Sequence, residues 1–152
     1  MFRYTHTNLI VHDLEGMLDF YETVLHCKRT GQKRDHSAPW IAAMTGVEGA
    51  HIVGEHLLLP GWGDSLPTLE VFRYDQKLDI LSHEINRPGF AHLSFEVDDV
   101  AETLALAVKH GGSQLGELVK APYPNGKEAT FVYLRDPEGN ILELQSWRDL
   151  NE

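Results

Sequence analysis

The sequence predicts an α+β fold built from two copies of one module, in which a strand and a helix are followed by further strands. This prediction rests on an internal repeat, on the spacing of apolar residues and on turn signals between the elements. Residues 5–14 (THTNLIVHDL) align with residues 91–100 (AHLSFEVDDV), with histidine on histidine, valine on valine and aspartate on aspartate. Self-similarity of this kind indicates that one structural unit occurs twice.

Each aligned segment is typical of a strand that runs into a helix. Asp13 and Asp99 (or Asp98) precede the two helices and suit the N-cap position, because a carboxylate accepts the free amide protons of the first turn. Apolar residues then recur at helical spacing, which are Leu14, Met17, Leu18, Tyr21 and Leu25 in the first helix and Val100, Leu104, Ala107 and Val108 in the second. The glycines at 111–112 predict the end of the second helix.

A second similarity completes the repeat, since residues 67–72 (PTLEVF) resemble residues 140–145 (NILELQ). Strands are expected at 50–59 and 129–134, with turns at 60–64 and 136–140. Residues 31–49, rich in glycine, proline and charge, are expected to form a loop or irregular excursion. We therefore predict a single domain over 1–152, with a first module at about 1–74, a connector at about 75–88 and a second module at about 89–148.

The composition limits the classes of partner. The chain of 152 residues carries a formal net charge of −10, which argues against nucleic acids and anionic membranes as partners. Neither a signal-peptide pattern nor an apolar run of about 18 residues is present in the sequence. The single cysteine, Cys27, is expected to pack at a helix end. We expect a cytoplasmic protein that acts on a small molecule.

Candidate metal ligands follow from the alternation of side chains along strands. In the strand from 91 to 97 the odd positions are apolar, and His92 lies in the opposite row. His6, Glu70 and Glu143 occupy the same kind of row in their own strands, facing away from the helices. If the two halves are related by pseudo-symmetry, these two histidines and two glutamates converge.

Two imidazoles and two carboxylates suit one borderline divalent ion, namely Zn, Ni, Co, Mn or Fe(II). A histidine or glutamate in a strand more often faces solvent than a metal. The repeat-related positions of all four residues favour the metal interpretation here. Four protein ligands in an octahedral shell leave positions open for water or substrate, which is typical of a catalytic site.

Several motifs together give the chain a family resemblance that covers almost its whole length. They are HTNLIV at 6–11 with Asp13, Phe20-Tyr21, GFAH at 89–92, and DPEGN at 136–140 leading into Glu143. With them the chain resembles the vicinal oxygen chelate superfamily, which includes glyoxalase I, extradiol dioxygenases and the bleomycin and fosfomycin resistance proteins. The resemblance implies two βαβββ modules that form a curled mixed sheet around a metal cavity, the glyoxalase-like fold.

Resemblance to the isomerase branch implies that His6, Glu70, His92 and Glu143 bind the metal. It further implies a lyase or isomerase that moves a proton next to a metal-chelated carbonyl of a small oxygenated substrate. Glu143 is then the expected proton carrier and Glu70 the second candidate. Many members with two modules form homodimers, so a homodimer is expected.

Two other interpretations stay open. The first is a ring-cleaving extradiol-type dioxygenase. Tyr133 stands ten residues before Glu143, as in the dioxygenase motif. However, residues 124–126 lack the expected histidine, and dioxygenases have no ligand at the position of Glu70. The second is a resistance-type protein that sequesters a ligand, which would not need all four ligand-type residues.

A substrate linked to glutathione is not expected. Short bacterial glyoxalase I has an arginine and an asparagine that contact glutathione, and Ile10 and Tyr74 occupy those positions here. The remaining side chains expected to line the cavity and bind substrate are Asn8, His56, Phe72, Ser94, Phe131 and Tyr133.

Overall fold

The computed structural model describes residues 1–150. The chain divides into two compact units, with the boundary between Asp79 and Ile80. Each unit has its own mixed sheet, and helices accompany both sheets. The predicted α+β class, with a strand, a helix and further strands in each half, is confirmed.

In the first unit, strand β1 (His6–Ile10) leads into helix α1 (Leu14–Leu25), and the other elements are β2 (Lys28–Arg29), β3 (Arg34–His36), α2 (Pro39–Thr45), β4 (Ile52–Leu58) and β5 (Thr68–Tyr74). The sheet order is β1-β5-β4-β2, and β3 also pairs with β4. Strands β1 and β5 run parallel, with Asn8 opposite Glu70. Strands β4 and β5 run antiparallel, with His56 opposite Glu70.

The second unit has the order β6 (His92–Glu96), α3 (Val100–Lys109), β7 (Ser113–Pro122), β8 (Lys127–Arg135) and β9 (Ile141–Asp149). Its sheet order is β6-β9-β8-β7, which repeats the plan of the first sheet. Ser94 lies opposite Glu143 across the parallel pair, and Tyr133 lies opposite Glu143 across the antiparallel pair. The long strand β7 was not predicted as a separate element.

Both long helices begin at the predicted aspartates. The backbone N–H of Gly16 donates to Asp13 over 3.1 Å, and that of Glu102 donates to Asp99 over 2.9 Å. The apolar side of α1 is buried, while α3 ends at Lys109, just before the predicted glycines. These caps set the point at which the strands that carry His6 and His92 end and their helices begin.

The prediction that residues 31–49 form a loop is wrong, because β3 and α2 lie there. Helix α2 starts after an extended Ala38, has Pro39 in its first turn, and ends at Gly46 with a φ of 72°. Ile41 is buried in a small cluster with Ala50 and Ile52. Seven residues are too few to show a clear helical period, so burial of Ile41 decides the structure.

His51 links strand β3, which was not predicted, to the end of β5 through two contacts. Its Nε2 lies 2.7 Å from Asp35 of β3, and its Nδ1 lies 2.6 Å from Asp75, just after β5. The hydrogen bond to Asp35, supported by the one to Asp75, raises the pKa of His51. This histidine therefore serves the structure of the first unit.

Within residues 1–150, no helix combines the length and the apolar character needed to cross a membrane.

Candidate metal and substrate site

The candidate ligands lie on the sheet faces opposite the buried rows. Leu69 and Val71 are almost fully buried, and Glu70 between them points to the other face. In β9 the same alternation places Glu143 between the buried Leu142 and Leu144. Hydrophobic burial of one row therefore fixes which side chains the opposite row presents.

In the first unit, His6 and Glu70 form a pair. His6 Nε2 lies 3.4 Å from Glu70 Oε2, and their side chains are 39% and 14% exposed. The amide Nδ2 of Asn8 donates to the same carboxylate oxygen over 2.8 Å. Asn8 therefore holds Glu70 in place, in addition to its predicted position on the substrate face.

His56 also holds Glu70. Its Nε2 lies 3.0 Å from Glu70 Oε1, and its Nδ1 lies 2.8 Å from the Thr68 hydroxyl. Burial lowers the pKa of His56, against the opposing effect of the Glu70 charge, so the ring is neutral at neutral pH. Its Nε2–H then donates to the carboxylate, and its Nδ1 accepts from Thr68. Sequence alternation placed His56 on this face but could not show this contact.

In the second unit, His92 and Glu143 form the corresponding pair, with 2.9 Å between Nε2 and Oε2. Tyr133 adds a hydroxyl that donates to Glu143, and its ring lies 5.1 Å from the His92 ring. Burial raises the pKa of Tyr133, and the neighbouring Glu143 charge raises it further. The hydroxyl therefore stays protonated and available as a donor.

Ser94 has a different role from that of Asn8, its counterpart in the repeat. Its hydroxyl accepts a 3.0 Å hydrogen bond from Gln145 Nε2. Gln145 Oε1 in turn accepts a 2.8 Å hydrogen bond from the indole N–H of Trp147. The polar face of β9 thus connects Ser94 to an aromatic side chain that the sequence analysis did not select.

The DPEGN motif is a turn that places the start of β9. The side chain of Asp136 is buried and accepts hydrogen bonds from the backbone N–H groups of Glu138 and Asn140 at 3.0 and 2.9 Å. Its second oxygen accepts from the Asn140 amide at 2.8 Å. Gly139 adopts a φ of 91°, which favours glycine. The motif therefore supports the strand that carries Glu143.

Two predicted cavity residues contribute aromatic surface. The ring of Phe72 lies over Gly54 and 6.4 Å from the His56 ring. Phe131 packs with Tyr123 and Trp147, at ring separations of 6.4 and 5.7 Å. Trp147 could have been found by counting alternate residues from Glu143, whereas Tyr123 comes from the β7–β8 turn region and carries no such signal.

The donor chemistry and spacing of each pair fit a divalent metal. Ligand atoms about 2.1 Å from one ion are separated by about 3.0 Å at a right angle and about 3.4 Å at the tetrahedral angle. The observed separations are 2.9 Å and 3.4 Å. Among residues 1–150 no preformed group of three or more His, Cys, Asp or Glu side chains could hold a metal. In the first unit, His56 does not join His6 and Glu70 as a third ligand, because both of its ring nitrogens already bind Thr68 and Glu70.

A cavity of about 350 Å³ lies elsewhere in the first unit. Its lining includes Glu55 and Val53 of β4, Arg73 of β5, and the start of α1. These strand residues belong to the row opposite His56 and Glu70. The side chains of Val53, Glu55 and Arg73 therefore point away from the candidate ligands.

Comparisons with known proteins agree on one family. The family model of the Glyoxalase/Bleomycin resistance protein/Dioxygenase superfamily matches residues 3–144. Two curated relatives, both named lactoylglutathione lyase and from Neisseria meningitidis serogroups A and B, are each 27% identical over 93% of this chain and 88% of their own length.

Solved structures show the same fold. A glyoxalase family protein from Bacillus cereus has a TM-score of 0.79 and 23% identity, covering 97% of this chain and 95% of its own. The fosfomycin resistance protein FosX from Listeria monocytogenes has a TM-score of 0.58 and 15% identity, with coverages of 96% and 93%. A variant of FosX has been crystallised with Mn(II) and a dihydroxypropylphosphonic acid.

Proposed function

Because the chain belongs to the Glyoxalase/Bleomycin resistance protein/Dioxygenase superfamily, we propose that it is a metal-dependent lyase or isomerase. In this proposal His6, Glu70, His92 and Glu143 bind one divalent ion. The enzyme moves a proton next to a metal-chelated carbonyl of a small oxygenated substrate that is not linked to glutathione. The superfamily contains lyases, isomerases and dioxygenases, so the reaction class is the part to be tested.

The observation that carries the proposal is the repetition of one histidine–glutamate pair in both units. Each pair lies on the face of its sheet that is turned away from the helix. The distance from histidine Nε2 to glutamate Oε2 is 3.4 Å in the first unit and 2.9 Å in the second. Glu70 and Glu143 have the same 14% exposure. The two pairs match in residue types, in strand register and in the exposure of the glutamate, and independent chance placement of four residues would not give this match.

The ion, when bound, supplies Lewis-acid stabilisation of the negative charge that develops on the substrate oxygens. The chain supplies the proton transfer. Glu143 can accept a proton from the carbon beside the carbonyl and return it, because a carboxylate within reach of a carbon acid acts as a general base. The Tyr133 hydroxyl donates to Glu143 and orients it. Asn8 and His56 hold Glu70.

Two positions support a substrate without glutathione. Ile10 is 49% exposed and presents an apolar side chain where an arginine would be needed. Tyr74 packs against the cluster of Ile41, Ala50 and Ile52. Neither side chain supplies the charge or the amide that contacts glutathione in the short bacterial glyoxalases.

Elemental analysis and isotope exchange test the proposal. Purified protein should bind one of Zn, Ni, Co, Mn or Fe(II), and His92→Ala should weaken that binding strongly. The loaded wild type should exchange deuterium from D₂O into the carbon next to the carbonyl of at least one α-hydroxyketone in a panel that includes 2-hydroxyacetophenone. Absence of bound metal contradicts the proposal. Oxygen uptake with catechols on Fe(II)-loaded protein, without exchange, would instead show a dioxygenase.

The proposal includes a homodimer, which is common in the family. Light scattering of the metal-loaded chain should give about twice the 17.2 kDa mass of one chain. A mass of one chain at micromolar concentration would contradict this part.

A further inference from the structure

The second sheet continues past Glu143 into an aromatic cluster, defined as Tyr123, Phe131 and Trp147. The ring separations are 4.9 Å for Tyr123–Trp147 and 5.7 Å for Phe131–Trp147, and the latter rings are perpendicular. Tyr123 is 41% exposed and Trp147 is 37% exposed. Phe131 is partly buried beneath them. Large aromatic side chains bury most of their surface in folded proteins, so two exposed rings that pack on a third indicate a surface able to bind a ligand.

The cluster belongs to the face that carries the candidate ligands. Glu143, Gln145 and Trp147 alternate along β9 and therefore point to one side of the sheet. Phe131 lies opposite Gln145 in the register, and Ala129 lies opposite Trp147. The small side chain of Ala129 leaves room for the indole ring. The face thus has a polar end at Glu143 and an aromatic end at Trp147.

Hydrogen bonds fix the orientation of the aromatic end. The indole N–H of Trp147 donates to Gln145, which donates to Ser94. Because its only polar group is engaged, the indole offers stacking surface rather than a hydrogen-bond donor. A ring held in this way loses little conformational freedom when a ligand stacks on it.

The size of the cluster favours a small ligand over a protein partner. The exposed parts of three aromatic side chains amount to less than about 300 Å². A standard protein–protein interface buries about 800 Å² on each partner. A single aryl ring, by contrast, is well matched to a platform of this area.

We propose that the aromatic cluster is a subsite that binds an aryl group of the substrate, while the oxygen-bearing part of the same molecule lies at the metal ligands. This inference rests on the proposed function, because it assigns the substrate class of the same site. The rise along a strand places the Cα atoms of Glu143 and Trp147 about 13 Å apart. The aryl group is therefore joined to the chelating oxygens through a spacer of several atoms.

Two probes test the subsite in the metal-loaded chain. Acetohydroxamate offers only vicinal oxygens, whereas 4-phenylbutyrohydroxamate adds an aryl group on a spacer. By calorimetry the second should bind at least about tenfold more tightly. In Trp147→Leu the ratio should fall toward one while acetohydroxamate affinity is unchanged. Trp62→Leu, in an exposed turn outside the cluster, is the control and should keep the ratio. Equal affinities in the wild type overturn the subsite.

A metal-free experiment separates this inference from the proposed function. In ¹H–¹⁵N spectra, 2-phenylethanol should shift the indole signal of Trp147, assigned by its loss in Trp147→Leu, and leave that of Trp62 unmoved. If neither hydroxamate binds but this shift is seen, the metal function fails and the aryl subsite stands. No shift of Trp147, or a shift that depends on protein concentration and not on 2-phenylethanol, overturns the subsite; the second result would identify a contact between copies.

Discussion

The two units share one plan but hold their central glutamates differently. In the first unit, Glu70 lies within 3.4 Å of His6 and accepts hydrogen bonds from Asn8 and His56. In the second, Glu143 contacts His92 and Tyr133. Ser94, the counterpart of Asn8, is engaged with Gln145 instead.

This difference matches the proposed roles, in which Glu70 is a fixed ligand and Glu143 is a movable base. Asn8 and His56 restrain both oxygens of Glu70, which favours a constant position beside His6. Glu143 contacts only His92 and Tyr133 among these groups, because Ser94 is engaged with Gln145, so it is less restrained than Glu70. A carboxylate that must collect and return a proton needs this freedom. The asymmetry within the repeat therefore supports Glu143 as the proton carrier and Glu70 as an anchor.

Replacing each glutamate by glutamine should give the largest contrast. Glu143→Gln removes the base and should lower the rate of deuterium exchange by about 10²–10⁴-fold. Glu70→Gln should lower the exchange rate less and weaken metal binding more, because the proposed role of Glu70 is to hold the ion. Exchange in D₂O and metal titration of the two variants measure both effects. The reverse order would assign the base to Glu70.

Substitutions of the residues that contact the two glutamates should have smaller effects than substitutions of the glutamates themselves. His56→Ala removes a restraint on Glu70 and should lower metal affinity by about 10–100-fold, as expected for a partner of a ligand. His56→Gln keeps an N–H donor and should recover part of that affinity. Tyr133→Phe should reduce the exchange rate more than it reduces metal affinity. Equal loss of affinity in His56→Ala and Tyr133→Phe would remove the distinction between anchor and base.

Much of this arrangement could be predicted from the sequence, because it depends on local patterns. The repeat, the aspartate caps and the strand alternation together placed His6, His92, Glu70 and Glu143 on the correct faces. Helix capping and the burial of one row of each strand determine these positions. Both produce patterns of residue types that can be recognised within a few residues of sequence. The structure confirms the fold, while the metal ligation itself stays a prediction.

The contacts that distinguish the two units could not be predicted in this way. Two of these contacts join segments that are distant in sequence. They are the hydrogen bond of His56 to Glu70 and the packing of Tyr123 against Trp147. Helix α2 was missed because its seven residues are stabilised by burial of Ile41 rather than by a long period. Pairing register and tertiary burial, rather than local spacing, decide these features.

One register position tests how tightly the face of the first unit is built. A methyl group at Gly54 would lie 2.1 Å from the carbonyl oxygen of Val71 and 2.3 Å from the Phe72 ring. Because the backbone oxygen cannot move freely, Gly54→Ala should lower the free energy of unfolding by about 1–3 kcal/mol. Phe131 occupies the equivalent position in the second unit, and Phe131→Leu should cost less than about 1.5 kcal/mol. Urea denaturation measures both, and a neutral Gly54→Ala would contradict the close packing.

The smallest expected effect is a pH dependence in the first unit. Asp35 and Asp75 raise the pKa of His51, so the protonated ring stabilises the folded state. That stability is fully present below the unfolded pKa of about 6.5 and is lost as the pH rises through the folded value. The melting temperature of the wild type should exceed that of His51→Gln by more at pH 6 than at pH 9. Arg73, whose Nη2 lies 3.6 Å from Asp75 Oδ1, is present in both proteins, so its interaction with Asp75 contributes equally to both melting temperatures. A constant difference would show that the His51 charge is not involved.

A crystal of the metal-loaded protein, with anomalous data collected at the metal edge, tests the central claim most directly. The account predicts one divalent ion bound by the Nε2 atoms of His6 and His92 and by carboxylate oxygens of Glu70 and Glu143, at about 2.0–2.2 Å. An ion bound by only one histidine–glutamate pair, or by residues outside the two ligand faces, would contradict it.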